Sequence, residues 1–126
     1  MYELPRDKNQ IVPNVFHKAC PARYLLDIVS DKWSFLIIDA LEHRQLRNGE
    51  LMRLIEGISQ KMLTQTLRKL EKTKLVVRHD LQTKPLNVAY QLTPIGLSLR
   101  KKVCEIDRWV EDNMMEILPD DLVNYV

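Results

Sequence analysis

Apolar residues recur along this chain first at helical and then at strand spacing, and the order of those patterns predicts the architecture. Tyr24, Leu25, Ile28 and Val29 sit one helical turn apart, and Pro21 stands where a first helical residue often stands, predicting a short helix from about Pro21 to Val29. Asp31 is placed to cap a second helix from Lys32 to about Glu42. Trp33, Phe35, Leu36, Ile37, Ile38, Ala40 and Leu41 make that helix apolar nearly all round, which suits the centre of a small domain. After a turn at His43 to Arg47, Asn48 is a candidate cap for a third helix whose buried stripe is Leu51, Met52, Leu54 and Ile55. Gly57 ends it, as a residue without a Cβ at a left-handed stop. Ser59 then caps a fourth helix through about Thr73. Two helices joined by a tight glycine-containing turn form a helix-turn-helix pattern.

The period then changes to two. Leu75, Val76 and Val77 begin a strand reaching Asp80, and from Asn87 to Leu92 the residues Val88, Tyr90 and Leu92 alternate with Ala89 and Gln91. The polar loop from Leu81 to Leu86 between them completes a β-wing. Thr93-Pro94 supplies the cap and first turn of a long helix running to about Leu118, where Pro119 stops it. The expected fold is mainly α with a small β-wing: a winged helix-turn-helix with a long C-terminal dimerisation helix. Residues 1–18 read as a flexible polar arm and 19–126 as the domain, with a recognition helix at 59–73, the wing at 75–92 and the dimerisation helix at 94–118.

On the helix from Ser59 to Thr73, Leu63, Leu67 and Leu70 face the core at i, i+4 and i+7. The opposite face carries Gln60, Lys61, Thr64, Gln65 and Arg68. These side-chain types suit a major groove: glutamine pairs with adenine, lysine and arginine reach guanine, and threonine offers a hydroxyl and a methyl. Ser59 and Lys61 stand at the helix N-terminus, where free N–H groups and partial positive charge favour phosphate. Arg78 at the base of the wing and Lys84 in its loop are placed to follow the adjacent backbone.

The net charge of +2 conceals a segregation that supports this face. From Ser59 to Arg78 there are six lysines and arginines against Glu71 alone, whereas from Cys104 onward seven acidic residues face Arg108 alone. A basic run by itself is an ordinary solvated helix face; its position between a glycine turn and a wing makes it a polyanion surface. Apolar content of 45% in 126 residues supports one core, and no apolar run approaches the roughly 18 residues that span a membrane. Met1 to Lys8 lacks the apolar stretch of a signal peptide, so the expectation is a cytoplasmic protein with reduced cysteines. No nucleophile–base set, phosphate-binding glycine loop or paired-carboxylate site stands out, so neither an enzyme nor a cofactor is expected.

The last helix carries Ile95, Leu99, Val103, Ile106, Val110, Met114 and Ile117 at intervals of four and three, with Trp109 alongside. About 24 residues span about 36 Å, more than a domain of this size needs for its own core. The stripe predicts a homodimer, with Leu99, Val103, Ile106, Trp109 and Val110 as interface residues. Two-fold pairing would place two reading helices about 34–36 Å apart, matched to a palindromic duplex operator.

Cys20-Pro21, Lys32-Trp33 with the apolar run to Leu41, Glu50-Leu51 and the string Gly57-Ile58-Ser59-Gln60-Lys61-Met62-Leu63-Thr64-Gln65-Thr66-Leu67 resemble the HxlR-type winged-helix transcriptional regulators of bacteria. Arg68, Leu70-Glu71, Leu75-Val76, Arg78, Pro85, Val88, Tyr90, Leu92-Thr93-Pro94, Gly96 and Trp109 extend the resemblance over about residues 19–110. It implies a homodimeric repressor or activator with its first helix, Tyr24 included, and its last helix at the dimer interface. Three positions depart from the family pattern. Asp31 stands before Lys32-Trp33 in place of the frequent glycine, and Asn48-Gly49 stand where an aromatic usually precedes Glu50-Leu51. Lys74 stands where glycine usually precedes Leu75, forcing a non-glycine into a left-handed helix end at a cost of about 1 kcal/mol, or altering the turn.

Cys20 precedes Pro21 at a helix N-terminus, where the dipole favours a thiolate. In the resembled family a cysteine at this place senses oxidants or electrophiles in several members, making Cys20 the candidate sensor of a small electrophile or oxidant. Cys104, beside the apolar stripe, reads as a packed thiol. His17 and Cys20 have the spacing of two metal ligands, but His43, His79 and Cys104 could join them only if the fold brought them together, and no metal site is assigned. The alternatives are a winged-helix protein-interaction module, or a metal- or ligand-responsive regulator without thiol sensing.

Overall fold

The computed structural model describes residues 5–81 and 87–122, and within them the chain forms five α-helices and one three-stranded antiparallel sheet. The order is α1 (Pro21–Val29), α2 (Lys32–Leu41), β1 (Leu46–Arg47), α3 (Asn48–Leu54), α4 (Gln60–Lys72), β2 (Val76–Asp80), β3 (Val88–Leu92) and α5 (Pro94–Ile117). This is a winged helix-turn-helix.

Helix α2 is the hub. The Asp31 carboxylate accepts from the N–H groups of Trp33 and Ser34, both at 3.1 Å, satisfying two of the donors that a helix start leaves unpaired. Ile37, Ile38 and Leu41 then lie fully buried among Leu51, Leu63, Leu67 and Leu70 from the helix-turn-helix and Val76, Leu92 and Val103 from the sheet and α5. Neighbouring α3 departs from expectation in two ways. Its cap position is Arg47 rather than Asn48, with the Glu50 carboxylate reaching back to the Arg47 N–H at 2.9 Å. Its buried residues are Leu51 and Ile55, with Met52 half-buried, while Leu54 is exposed because the helix ends there and the chain turns away. Gly57 adopts φ +92°, a left-handed turn that lets Ile58 re-enter the core before Ser59 starts α4.

The exit from α4 sets the wing. The N–H of Leu75 donates to the Leu70 carbonyl and that of Lys74 to the Glu71 carbonyl, both at 3.0 Å, the hydrogen-bond pair of a Schellman motif. Lys74 occupies the left-handed position at φ 64°. Strand β3 lies between β1 and β2, pairing Val76 with Leu92, Arg78 with Tyr90, and Tyr90 in turn with Leu46. The two-residue strand β1 falls within the turn expected at His43 to Arg47. By flanking β3 it makes that strand central; Ala89, on the face opposite Leu92, is buried as Leu92 is. The wing loop 82–86, including Lys84, lies outside the described residues.

Thr93 joins the wing to α5. Its hydroxyl accepts from the Gly96 N–H at 3.1 Å and donates to the Lys74 carbonyl at 2.6 Å. The first half of α5 packs on α2, where Arg100 donates to the Asp39 carbonyl at 3.1 Å. This corrects the expectation for Val103: it is 3% exposed and belongs to the chain's own core, not to a face free for a partner. Leu99 packs against the same core. The helix thus covers α2 before it projects. Among the described residues no helix is long and apolar enough to cross a membrane.

Residues 5–20 hold only a single 3-10 turn, Lys8–Gln10, yet the end of this segment is tied down. Arg23 of α1 donates to the carbonyls of Val15 and Phe16 at 2.7 and 3.0 Å, and the Asn14 N–H donates to Cys20 Sγ at 3.3 Å.

Candidate nucleic-acid interface

One side of α4 is committed to the core: Leu63, Thr66, Leu67 and Leu70 are buried, and the Thr66 hydroxyl is satisfied by the Met62 carbonyl at 2.7 Å. The other side is therefore free to meet a partner. Ser59 caps the helix by accepting from the Met62 N–H at 3.0 Å, leaving its own hydroxyl proton available at the helix start. Gln60, Lys61, Gln65 and Arg68 are exposed on this side, and Thr64 is half-buried at its edge. Gln60 donates to the Thr64 hydroxyl at 3.0 Å, so these two residues, one turn apart, present a joined polar surface rather than two independent groups.

Arg78 of β2 is exposed and lies across a cleft of about 300 Å³ from Thr64 and Arg68, with Glu71 and Tyr90 also lining it. Helix and wing thus share one surface. Among the described residues the ion pairs all belong to Arg44 or Arg100 with Glu42 or Asp39, so Lys61, Arg68 and Arg78 carry charge that no carboxylate within salt-bridge distance neutralises. The structure brings together Ser59, Gln60, Lys61, Thr64, Gln65, Arg68 and Arg78 on α4 and the adjoining strand; only Lys84 falls outside what is described.

A second polar cleft was not foreseen. Strand β1 pairs Arg47 with Ala89 of the wing, and Arg47, Asn48, Glu50, Arg53 and Asn87 line a cleft of about 850 Å³. The sequence held a signal, since Arg44, Arg47 and Arg53 precede the basic run at Ser59, but only the pairing of β1 with β3 brings Arg47 beside the wing.

The proposed interface positions divide. Tyr24, Ile106, Trp109 and Val110 are between 44% and 56% exposed, and Met114 and Ile117 continue that apolar row beyond the core, whereas Val103 is internal. Cys20 is buried at the start of α1 with the Asn14 N–H on its sulfur. Cys104 is half-buried, donates to Asp39 at 3.3 Å, and has its thiol pKa pushed up by burial and then by that carboxylate. A raised pKa leaves less thiolate, which fits a packed rather than a reactive thiol. Among the described residues no three His, Cys, Asp or Glu side chains gather in a metal-binding arrangement.

A helix-turn-helix followed by a wing, with an uncommitted basic and amide face on its second helix, defines a DNA-binding regulator. Residues 28–118 match the HxlR-like helix-turn-helix family, and the chain belongs to it. It is 38% identical over 105 residues to the uncharacterised HTH-type transcriptional regulator YtfH of Escherichia coli, covering 83% of each chain. Among solved structures, the putative transcriptional regulator YtfH of Salmonella typhimurium superposes with a TM-score of 0.79 at 36% identity, covering 83% of this chain and 94% of that one. The redox regulator HypR in its oxidised form superposes with a TM-score of 0.69 at 33% identity, covering 75% and 97%. The protein is a transcriptional regulator and not an enzyme.

Proposed function

We propose that the protein acts as a homodimer that binds a palindromic duplex operator sequence-specifically, laying α4 of each subunit in the major groove. The observation that carries this reading is the exposed row Lys61, Gln65 and Arg68, unpaired by any carboxylate among the described residues and continuous with Arg78 of the wing. Gln60, Thr64 and Gln65 read base edges, Lys61 and Arg68 reach base or backbone, and Ser59, Arg78 and Lys84 hold phosphate. Dimerisation covers the apolar row Ile106, Trp109, Val110, Met114 and Ile117 with its counterpart and with Tyr24.

Cys20 is the proposed sensor. Its sulfur is buried, so oxidation or alkylation requires the preceding segment to lift and breaks the Asn14 N–H contact to Sγ. That segment also holds Arg23 of α1 through Val15 and Phe16, so a modified Cys20 disturbs the helix that bears Tyr24. Likeness to a redox regulator supports this reading.

Affinity for duplex DNA measured against salt tests the proposal. A DNA binder loses affinity steeply, with a log–log slope of about −0.9 per phosphate neutralised; a flat response refutes it and favours a protein-interaction module.

A further inference from the structure

Between α1, the start of α2 and one side of α4 lies a cavity of about 330 Å³, within the usual range of roughly 300–1,000 Å³ for small-molecule sites. Its chemistry is graded from floor to mouth. At the floor is Ser34, 1% exposed, whose hydroxyl makes no hydrogen bond among the described residues. A helical serine normally returns its proton to a carbonyl one turn back, as Thr66 on the facing helix does to Met62. Ser34 does not, and a buried hydroxyl without a partner carries a desolvation penalty that a bound polar group removes. The walls are Ile28, Tyr24 and Met62, an aliphatic side chain, an aromatic ring and a thioether, which together favour an aromatic ring.

Charge at the mouth selects the other end of the occupant. Asp27 and Asp31 line it against Lys69 alone. One oxygen of Asp31 is committed to the α2 cap, its other makes no hydrogen bond among the described residues, and Asp27 enters no ion pair there. Two carboxylates to one ammonium leave the mouth net negative.

We propose that this cavity binds a small aromatic molecule with a hydroxyl at one end and a cationic amine at the other. The hydroxyl pairs with Ser34, the ring lies between Tyr24 and Met62, and the amine meets Asp27 and the unused oxygen of Asp31. Gln65 and Lys69 of α4 also line the cavity, so an occupant touches the recognition helix at Gln65, a residue of the proposed reading face.

Calorimetric titration with two probes of similar ring and chain length but opposite charge, tyramine and 3-(4-hydroxyphenyl)propionate, tests this. Tyramine is expected to bind saturably, one per chain, and at least about tenfold more tightly than the acid. Ser34→Ala and Asp27→Asn are each expected to weaken tyramine at least about fivefold while melting no lower than the parent protein, since one loses an unpartnered hydroxyl and the other an exposed charge. No saturable heat with tyramine, equal affinity for the two probes, or unaltered binding by both variants overturns the proposal. So does a lower melting temperature for Ser34→Ala, which would give the hydroxyl a structural partner. A change in operator affinity on tyramine binding is the further expectation. It rests on the DNA-reading role of α4, which the calorimetry does not, so the two fail separately.

Discussion

Gly96, in the first turn of α5, packs directly against the backbone of Leu75 at the start of the wing: a Cβ built on Gly96 would overlap the Leu75 carbonyl oxygen. That oxygen also accepts from the Thr93 N–H at 3.1 Å, so the start of the long helix is docked on the strand that leaves α4. Gly96→Ala forces backbone apart from backbone, where no side chain can yield. It is expected to lower stability by about 2–3 kcal/mol, read as a shift of the urea midpoint at constant slope. A shift below about 0.5 kcal/mol would mean that the junction is slack.

Lys74 holds a left-handed backbone without glycine's freedom. Both hydrogen bonds of the Schellman motif depend on that conformation. Lys74→Gly is expected to raise stability by about 0.5–1 kcal/mol, the left-handed strain relieved less the entropy that glycine loses on folding. Equilibrium unfolding checks the sign; a destabilised variant would show that the lysine side chain contributes more at the helix end than its backbone costs.

Gln65 is exposed at the middle of the α4 reading face, whereas Lys61 stands in its first turn. Gln65→Ala is expected to relax base preference at one position in each half-site at a cost of about 1–3 kcal/mol. Lys61→Ala is expected to weaken specific and non-specific binding together and to flatten the salt slope by about one phosphate. Selection from a randomised duplex pool, compared between the variants, reads the change in base preference, and affinity against salt reads the slope. An unchanged preferred sequence for Gln65→Ala would remove it from the base-reading set.

The two cysteines should respond oppositely to a thiol oxidant. Cys20→Ser is expected to bind DNA as the parent does but to lose the response of that binding to diamide or a quinone. Cys104→Ser should retain the response, because Cys104 donates its proton to Asp39 and its pKa is raised. Gel-shift titration with and without diamide distinguishes them, and a response surviving in Cys20→Ser would refute Cys20 as the sensor.

Burial, and then the neighbouring Asp107 carboxyl, raises the pKa of Asp39, with the hydrogen bond from the Cys104 thiol and then the charge of Arg100 pulling the other way more weakly. A carboxyl with a higher pKa folded than unfolded binds its proton more tightly in the fold. Its stabilisation is thus complete below the unfolded value of about 4 and is lost as the pH rises through the raised value. The neutral amide of the Asp39→Asn variant mimics the protonated carboxyl at every pH. The melting temperature of Asp39→Asn minus that of the parent is therefore expected to increase as the pH rises from about 4 to about 7. A difference that is flat or falls over that range would contradict the assignment.

Local chemistry accounts for what could be read from the sequence alone. Asp31, Ser59 and Thr93 cap the helices they were expected to cap, because a cap is satisfied by donors two or three residues away. The Leu63–Leu67–Leu70 stripe determined which side of α4 is buried, and hence the face bearing Gln60, Lys61, Thr64, Gln65 and Arg68. Lys74 was legible for the same reason, since a helix end demands a particular backbone whatever lies beyond it. Contacts between distant segments were not legible. Strand β1 is two residues long and exists only because β3 lies beside it, so no periodicity announces it or the place of Arg47 near the wing. Val103 and Ile106 belong to one apolar stripe on α5, and nothing in their spacing says that the first is covered by α2 and the second is bare. The cavity floored by Ser34 likewise arises where three helices meet. Hydrogen bonds within a turn and the period of a helix are properties of neighbouring residues, and the sequence determines them; which stretch of a stripe the chain itself covers depends on where remote segments pack, and only the tertiary structure decides that.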